Sequence, residues 1–321
     1  MLGALTGAVE QGLIYGIMAL GVYLTFRVLD FPDLTVDGSF VTGASTAAMM
    51  IVLGYSPLLA TVTAMIAGFV AGMGTGLLHT KGGINPLLSG ILMMIALYSI
   101  NLRIMGLTVE NSVGRPNIPL LQSETLITKY ISFVESLGIP SSYAIVVGAL
   151  LVVAVVKIVL DLFLKTEVGL ALRATGDNKR MIRSFSGNTD RLTIIGLALS
   201  NGLVALSGAL IAQYGKFADV GMGIGMIVIG LASVIIGEAL FGTKSIVRIT
   251  FAVIVGAVIY RLVLAFALRI EFLDTGDMKL LTALIVILAL ILPNRLSALK
   301  KQAVRKRVEA RKGGVELAKH S

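Results

Sequence analysis

Apolar runs about as long as a bilayer is thick recur along this chain, and they constrain its fold more than any other feature. A helix needs about 20 apolar residues to cross the hydrocarbon core, and roughly nine runs approach that length. They centre near 5–26, 39–54, 57–78, 86–105, 143–164, 191–213, 223–241, 248–268 and 279–293 of the 321 residues. With 56% of residues hydrophobic and 14% charged, the chain is too apolar for a soluble domain, where about 45–50% and about 25% are usual. Backbone groups in lipid must be satisfied within the segment, which selects helices. The expected fold is an all-α integral membrane protein, a polytopic bundle of about 8–9 transmembrane helices.

Charge orients the bundle. The formal net charge is +9, and it collects in loops and in the C-terminal tail, so it reads as membrane orientation and not as a nucleic-acid surface. Placing the tail inside puts Arg27, His79–Asn85, Lys165–Arg191 and Lys244–Arg248 on the same side. About 19 Lys/Arg then lie inside and about 6 outside. The outer loop near 107–142 holds Pro116, Pro119 and Pro140 and is mildly acidic. The expected organisation is a permease domain over 1–293 and a basic cytoplasmic tail over 294–321. The start lacks a basic segment and a small-residue cleavage site, so no signal peptide is expected. There is no Cys, and His79 and His320 lie far apart, so neither disulfides nor a metal centre is expected.

Gly68, Gly72 and Gly76 recur every four residues, a spacing that lets helices approach closely in lipid. Two other segments look irregular. Residues 27–40 contain Phe31-Pro32-Asp33-Leu34, and residues 217–226 contain Phe217-Ala218-Asp219-Val220. Each follows a long apolar run, and the two preceding runs point in opposite directions. This is the pattern of an inverted repeat, about 1–105 against about 191–293. Pro32 cannot continue a helix, and Gly221, Gly223 and Gly225 weaken one. Broken helices in such transporters present free N–H and C=O groups to the solute. Phe31, Asp33, Thr35, Asp37, Ser39, Asp219, Met222 and Gly223 are therefore the candidate pathway residues. The alternative is that both segments are ordinary loops with Asp caps.

The inner loop 165–191 contains a short amphipathic stretch. Asp177 is placed to cap a helix with Met181, Ile182 and Phe185 on its apolar side and Lys179, Arg180 and Arg183 elsewhere. Such a helix lies on anionic lipid or docks into a partner's groove. Thr166-Glu167-Val168-Gly169-Leu170-Ala171-Leu172-Arg173-Ala174, then Asn178, Gly187-Asn188 and the small-residue run Ala198–Ala212 resemble the cytoplasmic loop of ABC permeases for branched-chain amino acids and ribose-type sugars. Gly12-Leu13-Ile14-Tyr15-Gly16 through Gly21, Asp33-Leu34-Thr35-Val36 and Gly43-Ala44 resemble their first two spans. Asn85-Pro86, Gly90-Ile91-Leu92 and Leu97-Tyr98 resemble a side branch paired with receptors for tryptophan-like solutes. The resemblance implies a bacterial plasma-membrane importer subunit for a small polar solute, an amino acid or a relative. Its implied partners are an ABC ATPase, an extracytoplasmic solute-binding protein and a second permease copy. ATP would be used by the ATPase, with no cofactor on this chain. It assigns ATPase coupling to Gly169, Arg173, Ala174, Asp177, Asn178, Met181, Phe185 and Gly187. The chain departs from the amino-acid branch, which has an Asn-Phe-Ala-His-Gly-like stretch where Asp30-Phe31-Pro32-Asp33 stands. The solute therefore does not carry over.

Residues 237–245 nearly spell a phosphate-binding loop, but Thr243 breaks the Gly-Lys pair and the segment ends an apolar run. Charges within spans are costly and usually face the bundle interior. Arg261 is expected either to pair with a carboxylate such as Glu10 or to touch an anionic ligand. Lys157 and Asp161 are expected to pair locally and snorkel. The rival function is an ion-gradient carrier using Asp33, Asp37 or Asp219 at mid-membrane. A membrane enzyme lacks a plausible nucleophile–base pair.

Overall fold

The computed structural model describes residues 2–108, 114–136 and 141–267, together with 280, 282–284, 286 and 287. Most of the expected span 279–293 and the tail 294–321 lie outside the described residues. The chain forms α1 (Leu2–Tyr23), a π-helical turn (Leu24–Val28), α2 (Thr35–Val52), α3 (Pro57–Thr80) and α4 (Pro86–Gly106). After a loop with strand β1 (Asn117–Pro119) come α5 (Leu126–Ser136), α6 (Ser141–Lys165), α7 (Glu167–Asp177), α8 (Lys179–Ser184) and α9 (Thr189–Gly215). Strand β2 (Phe217–Asp219) and a 3₁₀ turn (Val220–Gly223) lead into α10 (Met226–Phe241) and α11 (Ile246–Ala267).

Local chemistry sets the helix starts. Ser56 and Asn85 accept from Leu59 N and Leu87 N just before Pro57 and Pro86, joining a side-chain cap to a proline that has no N–H to lose. Among the described residues, seven segments are long and apolar enough to cross a membrane, from Gly3–Val28 to Ile246–Ala267. The helix α2 is not among them. It carries Thr, Ser and Gly on most faces and is buried along almost its whole length, so its surroundings are protein and its polar groups need no lipid. At the other extreme, α6 has only 17% of its most apolar window buried and presents Leu150, Leu151 and Val159 outward. Among the described residues the bundle is all-helical apart from one two-stranded ribbon.

The core centres on α9, against which α1, α2 and α3 pack. The glycine spacing on α3 has the expected consequence. A Cβ at Gly68 would lie 2.2 Å from the Ala205 Cβ, and one at Gly72 2.2 Å from the Leu197 carbonyl oxygen. The helices α1 and α9 run antiparallel. Ser200 Oγ donates to Gly21 O at 2.7 Å, Ser207 Oγ to Ile14 O at 2.9 Å, and Tyr214 OH to Glu10 Oε2 at 2.8 Å. The opposed directions read from charge are thus present.

Interior charges depart from two expectations. Glu10 takes the Tyr214 hydroxyl, and no ion pair joins it to Arg261 among the described residues. Lys157 and Asp161 do pair, at 2.5 Å, but Asp161 is buried and accepts from Thr250 Oγ1 of α11 at 2.6 Å. The pair ties α6 to α11 instead of reaching for the interface. At the same end of the bundle Arg27, in the π turn after α1, pairs with Glu238 of α10. Residues 237–245 connect α10 to α11 through Gly242 (φ 71°), with no strand leading in.

Candidate functional site

The first interruption begins where α1 widens into its π turn. Leu29 N bonds to Leu24 O at 3.0 Å, Phe31 N to Thr25 O at 2.9 Å, and Asp30 turns the chain at φ 51°. Pro32 keeps the backbone extended. Phe31 is buried with its ring edge-on to His79 at 5.2 Å. Asp33 is fully buried; Oδ1 accepts from Thr35 N at 2.9 Å and Oδ2 from Asn201 Nδ2 at 2.7 Å. Thr35 Oγ1 lies 2.7 Å from Thr75 Oγ1. Phe31, Asp33 and Thr35 therefore start α2 and tie it to α3 and α9.

One turn on, Asp37 reaches across the molecule. Its Oδ2 accepts from Gly225 N at 2.9 Å and its Oδ1 from Ile227 N at 2.8 Å. These are first-turn donors of α10, whose own N-cap, Gly225 at φ 87°, has no side chain to offer. The second interruption opens at Lys216 (φ 57°). Its strand β2 pairs antiparallel with β1, Ile118 opposite Ala218. The sequence reading missed this ribbon. It satisfies backbone groups freed when α9 ends, through Leu120 N to Lys216 O and Val220 N to Pro116 O, both 2.8 Å. Asp219 Oδ1 caps the 3₁₀ turn through Gly221 N at 2.7 Å. Gly223 rests on the α2 backbone, where a Cβ would lie 2.1 Å from Asp37 O.

The two interruptions meet at a cavity of about 400 Å³. Asp37, Gly38 and Val41 form one wall, Val220, Gly223 and Ile224 a second, and α4 supplies Met94, Tyr98, Ser99 and Asn101. Of the predicted pathway residues, the structure brings Asp37 and Gly223 together here. Ser39 is buried in α2 and does not line the cavity, and its hydroxyl has no partner among the described residues. Met222 packs between two core clusters, and Asp219 sits at the ribbon end. The residues missed are Asn101, Tyr98 and Asn201. Asn101 Nδ2 donates to Gly38 O at 3.2 Å. A polar amide inside an apolar run is the signal that marks both asparagines.

The inner loop folds as two helices. Thr166 caps α7 through Gly169 N at 3.2 Å. The cap of α8 is Asn178, which accepts from Met181 N at 3.1 Å, and Asp177 is instead the last residue of α7. The asparagine side chain reaches N3 when the chain is extended at its own position, as at Asn178. The inner face of α7 is fixed to the bundle. A Cβ at Gly169 would lie 2.2 Å from Phe163 O, and one at Gly176 2.0 Å from Val28 O, within the π turn. Leu172 is buried, and Gly196 fits between it and Leu29. Arg173 and Ala174 are half-buried. Phe185, 78% exposed, and Met181 project outward, and Gly187 closes back on Ile182. The loop thus has one face on the first interruption and an apolar tip turned away.

Known proteins decide what this arrangement belongs to. Residues 4–292 match the family model described as branched-chain amino acid transport system / permease component. The chain belongs to this permease family. The tyrosine transport system permease protein of Clostridioides difficile (strain R20291) is 45% identical over 300 residues, covering 94% of this chain and 95% of that one. The uncharacterized protein RP368 of Rickettsia prowazekii (strain Madrid E) is 33% identical over 287 residues, covering 88% and 95%. A solved inward-facing ABC transporter, provisionally assigned to the metal-chelate type, aligns at 20% identity over 88% of this chain and 83% of its own, with a TM-score of 0.46. The family match and the 45% identical relative make the permease the multi-pass membrane subunit of an ABC transporter. Membership implies an ATPase and a solute-binding protein as its partners.

Proposed function

We propose that this permease imports an aromatic amino acid, tyrosine foremost, delivered by an extracytoplasmic receptor and driven by an ATPase that docks on the α7–α8 loop. The solute reading rests on the 45% identity to a tyrosine permease over nearly the whole chain. The observation that carries the mechanism is the contact of α7 with the π turn at Gly176 and Val28. Movement of the loop has a direct route to the first interruption, through Asp37 to the start of α10, and so to both sides of the cavity. Arg173, Met181 and Phe185 form the ATPase-facing handle, and Asp37, Gly223, Met222 and Ser39 stand at the pathway. Two chains pair so that a second copy closes the half-exposed α4 wall at Tyr98. The antiparallel α1 and α9 support two inverted repeats, about 1–105 and about 191–293. The chain holds no cofactor and is not itself an enzyme; ATP is hydrolysed by the partner subunit. The basic tail lies in the bacterial cytoplasm.

Proteoliposomes holding the permease, its ATPase and its receptor test this reading. Uptake of labelled tyrosine is expected only with ATP inside the ATPase-exposed compartment. Uptake driven by a proton or sodium gradient without the ATPase would overturn it in favour of a secondary carrier using the Asp residues.

A further inference from the structure

A second cavity lies away from the interruptions, between the N-terminal part of α1 and the C-terminal part of α11. The two helices are pressed together at mid-length. A Cβ at Gly12 would lie 2.7 Å from the Val258 Cα, and one at Gly16 3.3 Å from an Ile254 methyl. Toward Gly7 they splay, and a space of about 300 Å³ opens between Ala4, Gly7, Gln11 and Arg261. That volume is at the lower end of the roughly 300–1,000 Å³ range of small-molecule sites.

Arg261 is what makes the space chemically specific. A cation within a membrane-spanning helix is costly unless it is paired or faces water. Lys157, another cation within a span, has Asp161. Arg261 has no ion pair or hydrogen bond among the described residues, and its Nε is buried without a partner. The nearby carboxylate of Glu10 is engaged by Tyr214. One face of the guanidinium lies 4.2 Å from the centre of the Tyr15 ring, which stabilises the charge but leaves the donor edge of the fork free. Tyr15 in turn stacks on Phe40 of α2 at 6.0 Å, so the arginine is braced against the helix that carries Asp37.

We propose that this cavity is a carboxylate-binding station, in which Arg261 takes the carboxylate of a small amino acid with Gln11 beside it. A planar fork of donors matches a carboxylate's two oxygens, and the ligand supplies a counter-charge that no described residue provides. This rests on the permease reading and adds to it a recognition point for the part common to all amino acids, separate from the cavity at Asp37.

The test uses the permease–ATPase complex in detergent, without receptor or nucleotide. Saturation-transfer NMR compares L-tyrosine and L-leucine with the same molecules lacking the carboxylate, tyramine and 3-methylbutylamine. Wild type is expected to favour each amino acid over its amine by roughly tenfold or more, the size of a lost charge-assisted pair. In Arg261→Gln that preference should shrink to about twofold or less, and Arg261→Lys should restore part of it, keeping the charge without the fork. Ala4→Phe narrows the mouth from an exposed position and leaves Arg261 intact, so it carries the test if Arg261→Gln does not fold. It should weaken amino-acid binding about tenfold. No preference in wild type, an unchanged preference in Arg261→Gln, or unchanged binding in Ala4→Phe each overturns the proposal. Absence of ATP-driven uptake by wild type would instead sink the permease reading, because the binding preference is measured without transport.

Discussion

The two interruptions have similar sequences but different construction. The first is closed by its own side chains. Asp33 is buried, caps α2 and holds Asn201, and Thr35 is locked to Thr75. The second has little of its own to close it. Gly225 offers α10 no cap, and the segment borrows its order from a ribbon with β1 and from Asp37 of the opposite interruption. One segment is a fixed support and the other is held in place by it. Aligning Phe31–Leu34 with Phe217–Val220 suggests equivalence, but the partners of the two aspartates give them unequal tasks.

The largest effect that would sharpen this contrast is at Asp37. Asp37→Ala leaves two first-turn amides of α10 unpaired, a cost of about 3 kcal/mol, and is expected to abolish uptake and lower the melting temperature of the purified complex. Asp37→Asn should retain most of the fold yet lose most turnover. Asp33→Asn should do the reverse, lowering the melting temperature while uptake per folded molecule stays within about twofold, because Asp33 does not line the cavity. If the two Asn variants behave alike, the contrast between support and dependent segment is wrong. Next comes Gly223→Ala, which forces a methyl against Asp37 O. Overpacking of this kind costs about 1–3 kcal/mol, and a fall in uptake with normal expression is the expected readout. At Gly176, a Val side chain would push α7 off the π turn. ATP hydrolysis should continue while uptake per ATP falls about fivefold, roughly 1 kcal/mol of coupling. Tight coupling retained in that variant would show that the loop acts elsewhere. The smallest effect is at Asp219→Ala, the loss of a partly exposed cap worth about 1 kcal/mol, visible in melting and scarcely in uptake.

The sequence made seven of the spans, the opposed directions of α1 and α9 and the place of both interruptions legible, because length, apolarity and charge act locally and leave periodic marks. Gly68, Gly72 and Gly76 could likewise be read from their own spacing. What could not be read depends on partners distant in the chain. Nothing near residue 37 announces that its carboxylate belongs to residues 225 and 227. The ribbon was hidden for the same reason, since three-residue strands carry no periodicity and β1 lies inside a proline-bearing loop. The α8 cap fell to Asn178 and not Asp177 because an 11-residue α7 consumed the preceding residue, a boundary set by its packing against the π turn. The Arg261–Glu10 pairing was drawn from charge alone, and it missed that Tyr214 takes the Glu10 carboxylate while Tyr15 covers only one face of Arg261.

The glycine seam between α3 and α9 has a mechanical consequence. With only the Ala205 methyl between them at Gly68 and backbone against backbone at Gly72, the two helices bear directly on one another. There are no rotamers there to absorb a sliding motion. Such a joint transmits displacement without damping, and α2, bonded to both helices, is carried along with it. On the far side α6 is held by the Asp161 bridge to α11 and by apolar packing that lipid can replace. The bundle therefore has a stiff flank and a compliant one, and any change in its shape must open on the compliant side while the seam serves as the fixed leaf of the hinge.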